Sequence, residues 1–291
     1  MGPDGWGTHA VEVTAAQVVK RFSRGDEKRA EREWRALTLL GEYAPGLAPA
    51  PRSMHLAAGV PTVVMSRLAG TPLRGRSPDE EQVKALAAAL NELHAAVPAD
   101  ALRHVPVGPG QQGDLVAQLD EWAVTVHPRV GGPVGRAMGL GLQWLGGSGL
   151  GTEGASQVGP VFGPGDGNLA NYLWDGSRVR VVDFEDSGRS DRAFELAEIT
   201  EHVGSWVEHP FDVPTFLGHF ELTAAEEARL WECRRLLALV WLFLLAFDHE
   251  HVRNPPGTVE RQADRLMALL ARGTIQPRSR HLGESACPET R

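Results

Sequence analysis

The chain has 291 residues, 42% hydrophobic and 23% charged, an ordinary globular composition long enough to bury a core without disulfides. A formal net charge of −8 argues against a nucleic-acid partner and suits a cationic small molecule. Cys233 and Cys287 fit no metal or disulfide spacing, no signal peptide is evident, and the longest apolar run, Leu236–Phe247, has 12 residues where a membrane span needs about 20. A cytoplasmic protein is expected, with no membrane and no protein partner implied.

Taken in order, Ala10–Val13 and Val18–Phe22 alternate on either side of a short "TAAQ" turn and predict a β-hairpin. A charged amphipathic helix follows over about Asp26–Gly41, with Ala30, Trp34 and Leu37 on its apolar stripe. Pro51–Ala57 and Pro61–Ser66 read as two further strands turning at Ala58-Gly59. After Gly70-Thr71-Pro72 the pattern becomes helical. Ser77-Pro78-Asp79-Glu80 reads as a capping box with proline at the first helical position, opening a helix through Val83, Leu86, Leu90 and Leu93. Glycine-rich loops at 104–114 and 146–160 flank another helix. Val158–Phe162 is a predicted strand; Tyr172–Trp174, an Asp175-Gly176 turn and Val179–Val182 make a second hairpin. Thr223–Glu226 is another capping box, heading a helix so apolar on all sides that it must be buried. From about Gly273 the chain is polar and aperiodic, which predicts disorder. The expected organisation is a β-rich lobe over 1–69, a helical lobe with an inserted hairpin over 70–272, and a tail over 273–291.

The stretch "GPGDGNLANYLWDGSRVRVVDFED", residues 163–186, concentrates the chemistry. Asp166 lies on a glycine-flanked loop, where backbone can approach a ligand closely. Asn171 precedes a strand, and Asp183 ends the strand that returns beside it. An amide oxygen and a carboxylate brought together this way form a hard-oxygen site suited to Mg²⁺. A carboxylate nearby that is not bound to metal can orient a hydroxyl and accept its proton. Asn168 competes with Asn171 for the first of these roles.

These residues resemble the catalytic segment of the aminoglycoside phosphotransferase family, relatives of the protein kinases. Its pattern H-G-D-x-x-x-x-N followed by I-D-[FW]-E is read here in Gly165-Asp166, Asn171 and Val182-Asp183-Phe184-Glu185. "SGRSDRAFELAE" is similar to the continuation G-x-x-D-x-x-x-D-L-A, with Asp191 at the first acid and Glu195 replacing the second. The resemblance spans about residues 5–250. It implies an α+β, protein-kinase-like two-lobe fold: a small antiparallel sheet with one helix, then a larger, mostly helical lobe.

By this resemblance Asp166 would be the catalytic base, and Asn171 and Asp183 the Mg²⁺ ligands. Lys20, ending "QVVK", would hold the α- and β-phosphates and pair with Glu33, or with Glu31 if the helix register slips. The phosphate loop falls on Gly5–His9, with Gly5, Gly7 and Thr8 against the nucleotide. Residues 62–73 resemble the segment joining the lobes, where backbone at Ser66, Arg67 and Leu68 would bind the base. His94 matches a family L-H helix ending and reads as structural. The implied activity is ATP- or GTP-dependent transfer of the γ-phosphate to a hydroxyl of a small molecule, such as an aminoglycoside or another amino-alcohol. Glu198, Glu201, Glu208, Asp248 and Glu250 would be available to ammonium groups. Two departures stand out. Pro164 occupies the place of the motif histidine, so a hydrogen bond that steadies the loop must be lost or replaced. Met1–Asp4 is too short for the family's first strand, which implies an upstream start or a missing edge strand. Both favour the alternative, a catalytically inactive kinase-like protein that binds nucleotide or regulates.

Overall fold

In the N-terminal part, alternating β-branched residues pair as the sequence predicts. A computed structural model describes residues 9–150, 158–247 and 254–272. The expected first strand, Gly5, Gly7, Thr8, Asp248, Glu250 and the tail lie outside them. Strands β1 (Ala10–Val13), β2 (Gln17–Arg21), β3 (Pro51–Ala57) and β4 (Val60–Ser66) form an antiparallel sheet in the order β1-β2-β4-β3. Lys20 lies between Val11 on β1 and Val63 on β4. Helix α1 (Glu27–Tyr43) covers the sheet with Ala30, Glu33, Ala36, Leu37 and Leu40 buried. Helical spacing thus puts Glu33 on the inward stripe, while Glu31 is exposed, which settles the register.

A short strand β5 (Thr71–Pro72) leads into α2 (Glu80–Ala96), α3 (Ala99–Leu102), α4 (Gln112–Thr125) and α5 (Gly132–Ser148). The cap of α2 is Asp79, not Ser77: its carboxylate accepts the Gln82 N–H at 2.9 Å, and the Gln82 side chain accepts the Asp79 N–H at 3.2 Å. Pro78 therefore precedes the cap. Two helices stand where one was expected between the glycine-rich loops, because Pro128 and Gly131-Gly132 interrupt the run.

Strand β6 (Pro160–Gly163) enters the glycine-flanked loop, and β7 (Tyr172–Trp174) and β8 (Val179–Val181) form the predicted hairpin, with β5 on its edge. Strand β9 (Gly188–Asp191) pairs antiparallel with β6, aligning Gly163 with Gly188. Its sequence, Gly-Arg-Ser-Asp, has no apolar alternation, so this strand arises from pairing alone. Helices α6 (Arg192–Glu201), α7 (Val213–Leu217), α8 (Ala224–Phe247) and α9 (Thr258–Arg272) complete the described chain. The expected capping box heads α8: Thr223 N–H donates to Glu226 at 2.8 Å and Glu226 N–H to Thr223 Oγ1 at 3.2 Å. Leu236 to Phe243 of α8 are buried apart from Trp241, and α8 packs on α6, α9 and α5. No described helix is long and apolar enough to cross a membrane.

Candidate active site

Strand alternation turns Lys20 inward from β2, where its Nζ meets three carboxylates. It lies 3.1 Å from Glu33 Oε2 and 2.7 Å from Glu185 Oε2, and it donates to Asp183 Oδ1. Glu33 Oε2 also accepts the Phe184 N–H at 2.9 Å, tying α1 to the chain leaving β8. Arg29 reaches Glu185 Oε1 at 3.1 Å, Arg32 donates to the Glu185 carbonyl at 2.5 Å, and His9 Nε2 lies 2.9 Å from Glu185 Oε2. Burial alone would lower the Lys20 pKa, but Glu33, Asp183 and Glu185 raise it well above the usual value, so the ammonium persists. Burial pushes the Asp183 carboxyl up against the pull of Lys20. Asp183 also has a φ of +69°, a left-handed conformation uncommon outside glycine and one that concentrates at functional sites. One oxygen each from Glu33, Asp183 and Glu185 lies within 4.8 Å of the others.

The second group sits on the loop between β6 and β7. Gly165 has a φ of +77°, and a Cβ there would lie 2.2 Å from the Asp186 carbonyl, so only glycine fits. Asp166 follows, its Oδ1 accepting the Asn168 N–H and its Oδ2 accepting Asn171 Nδ2, both at 2.9 Å. Its side chain stays 35% exposed, and burial pushes its pKa up despite these two bonds. Asn168 caps the turn by accepting the Ala170 N–H at 3.1 Å, so of the two asparagines it is Asn171 whose side chain reaches Asp166. The Val182 N–H donates to the Asn171 carbonyl at 2.9 Å, which sets Asn171 beside the strand end that carries Asp183.

Helix α6 supports this loop from below. Glu195 Oε2 accepts the Gly165 N–H at 3.3 Å. A Cβ on Gly163 would lie 2.2 Å from the Glu195 carboxyl group, so the glycine makes the room this longer acid needs. Burial drives the Glu195 pKa to about 7, against the opposing bonds from Ser190 and Gly165. Asp191 caps α6 through the Phe194 N–H at 2.9 Å and holds Arg229 at 3.0 Å. Just past α6, His202 Nδ1 accepts the Gly204 N–H at 3.0 Å while Nε2 stands 3.7 Å from Asp166 Oδ1. Burial, with help from Arg74, lowers the His202 pKa to about 3, so the ring is neutral. No motif announces His202.

The remaining expected groups divide. Glu198 is partly open and its carboxyl is raised well above normal by burial and by the charges of Glu195 and Asp166. Glu201 is fully buried between Arg234 at 2.6 Å and Arg265 at 2.9 Å, so it is structural and cannot meet an acceptor. Glu208 lies 3.5 Å from Arg74. The Ser66 and Arg67 N–H groups donate to Ala50 and Ala16 carbonyls at 2.8 and 3.2 Å, so neither is open to a base. His94 ends α2, where burial and Arg192 depress its pKa to about 3.

A family model described as the phosphotransferase enzyme family (APH) matches residues 3–237. The chain belongs to that family. No curated protein matches it in sequence. Among solved structures, aminoglycoside phosphotransferase APH(4)-Ia superposes with a TM-score of 0.66 at 17% identity, covering 94% of each chain. The GDP complex of aminoglycoside 2'-phosphotransferase-IIIa gives 0.64 at 17%, covering 94% of this chain and 92% of that one. A choline/ethanolamine kinase family protein from Mesorhizobium loti gives 0.62 at 21%, covering 91% and 86%. These likenesses show the protein-kinase-like α+β fold of this phosphotransferase family member, a small sheet lobe beside a larger helical one.

Proposed function

We propose that this phosphotransferase moves the γ-phosphoryl group of ATP or GTP to a hydroxyl of a small acceptor that carries cationic groups. One observation carries the reading. A buried ammonium from the sheet lobe converges with Asp183, and the same hairpin holds Asn171 against the half-open carboxylate of Asp166.

In this reading Lys20, kept protonated and aimed by Glu33, faces the α- and β-phosphates once it turns from Asp183. Asp166 is the base: its exposed face accepts the acceptor's hydroxyl proton while Asn168 and Asn171 fix the carboxylate plane. Asn171 Oδ1 and Asp183 are the ligands for Mg²⁺. Both offer hard oxygen, and Asp183 is one of three carboxylates that share a single ammonium, an excess of negative charge that suits a cation. Bound there, Mg²⁺ would neutralise charge on the transferring group. Base recognition falls to Leu68 and the carbonyls of Ser66–Leu68, because two of the three amides are taken. Gly5, Gly7 and Thr8, outside the described residues, would cover the phosphates.

Glu198, beside Asp166, is the first choice to receive an acceptor ammonium, whose charge would offset the burial and acidic neighbours that raise its carboxyl, with Glu208 the second choice. Relatives whose names record GDP, kanamycin, AMP-PNP and hygromycin B complexes support a nucleotide paired with an amino-sugar acceptor.

Thermal shifts with ATP and with GTP, each with and without Mg²⁺, test the first half. Nucleotide consumption over a panel of amino sugars and amino alcohols tests the second. Mg²⁺-dependent stabilisation with turnover on one acceptor class is expected. Stabilisation without turnover on any acceptor would favour the inactive alternative, and no stabilisation by either nucleotide would overturn the reading.

A further inference from the structure

Pro164 cannot supply the hydrogen bond that a histidine at that position would make, and on the loop itself Asp166 is held by the Asn168 N–H and Asn171 Nδ2. A histidine from elsewhere in the chain, His202, stands 3.7 Å from this carboxylate. We propose that His202, at the end of α6, is a positioning residue for Asp166, its Nε2–H steadying Oδ1 in place of the donor missing from the loop.

The geometry defines the donor. The Gly204 N–H occupies Nδ1 at 3.0 Å, so a neutral ring carries its proton on Nε2, the nitrogen that faces Asp166. Trp241 packs on the imidazole at a near-perpendicular angle with ring centres 4.7 Å apart, which limits ring rotation. Arg74, the charged neighbour on the segment after β5, disfavours a second proton, and Asp166 is the acid the ring faces. His202 is therefore a donor of fixed direction and no net charge. It steadies the carboxylate without tying it up as a cation would. The 3.7 Å separation is longer than a hydrogen bond, and such contacts commonly close only when substrate is bound.

The inference rests on the phosphotransfer reading, with Asp166 as base, and the experiment separates the two. Imidazole ¹⁵N NMR of the full-length protein at neutral pH, with the His202 signals assigned by their loss in His202→Gln, reports the tautomer without any turnover. An Nε2–H ring with Nδ1 as acceptor is expected; an Nδ1–H ring or an imidazolium overturns the proposal whether or not the protein is active. In kinetics, His202→Ala should lower kcat about tenfold with the nucleotide KM unchanged. His202→Gln, which can place an amide N–H near Nε2, should recover most of the loss, and His202→Asn, which cannot, should not. Wild-type kcat in His202→Ala, or equal kcat in the Gln and Asn variants, overturns it. Should His202→Ala fail to fold, the Gln and Asn pair decides. If the wild type transfers no phosphate to any acceptor, the functional reading fails and the tautomer alone judges the contact.

Discussion

Two acidic regions adjoin at this site and are held in opposite ways. Around Lys20, three carboxylates surround one buried cation, with Arg29 and His9 also on the Glu185 carboxylate and Arg32 on its backbone carbonyl. Around Asp166 the contacts come from neutral donors: two asparagines on the loop itself, and His202 close by. The first arrangement compensates charge and joins α1 to the hairpin, so it serves binding and folding together. The second leaves a carboxylate half open and free to change its protonation, which suits proton transfer and contributes little to stability. Glu185, whose pKa the neighbouring cations lower despite burial, and Glu195, whose pKa burial raises to about 7, show the same contrast within one acid type.

The largest expected effect lies on the neutral side. Asp166→Ala should cut kcat by roughly 10²- to 10⁴-fold, the range for a general base. The nucleotide KM and the melting temperature should barely move. Steady-state kinetics beside a thermal melt checks both, and retained turnover removes Asp166 from the base role. Lys20→Met should break the contrast from the other side. It leaves Glu33, Asp183 and Glu185 without their shared cation, and removing one partner of a buried ion pair costs about 3–5 kcal/mol. Nucleotide affinity and stability should therefore fall together, measured by titration and by denaturant unfolding. A variant that loses affinity alone would show that the cluster does not hold the lobes.

The two regions also differed in how far the sequence revealed them. Lys20 and Glu33 sit on regular elements and Asp183 just past β8, where the family resemblance places them, and the choice of Glu33 over Glu31 follows from its helical phase with Ala30, Leu37 and Leu40. The left-handed backbone of Asp183 was hidden, since Val-Val-Asp-Phe reads as plain strand. The cap of α2 was misplaced by two residues because Ser77 and Asp79 are equally good caps locally, and only the Gln82 reciprocal bond distinguishes them. Strand β9 was missed for want of any apolar alternation. His202 and the Gly163–Glu195 pair depend on residues more than 30 positions apart in the chain, a relation that no local pattern encodes.

That long-range pair supplies a smaller effect. Gly163→Ala drives a methyl group into the Glu195 carboxyl, and overpacking of this kind costs about 1–3 kcal/mol. Shortening the acid should relieve it: the Gly163→Ala/Glu195→Asp double variant should be more stable than the sum of the single changes, a coupling read from a double-mutant cycle of melting temperatures. Simple additivity would mean that the glycine serves only the backbone.

The last expected effect is a pH dependence, set chiefly by the acid beneath the loop. An ordinary Glu has a pKa of 4.5, and Glu195 in the folded chain is raised to about 7. Between these values the unfolded chain has released this proton and the folded chain retains it. Folding therefore binds a proton, and stability falls as pH rises through the window. Below about 4.5 the penalty is absent; above about 7 it is complete, at most about 3 kcal/mol for a shift of this size. Glu195→Gln cannot ionise and escapes it. Wild-type and variant melting curves should thus diverge in favour of the variant from pH 5 to pH 7 and run parallel above. Glu185→Gln should do the reverse: its deficit relative to wild type grows as pH rises up to the ordinary carboxyl value of 4.5 and is constant above it, because the folded chain favours the ionised form. If both substitutions respond to pH with the same sign, the acids under the loop and around Lys20 share one electrostatic environment, and the division between a charge-compensating region and a proton-holding one does not stand.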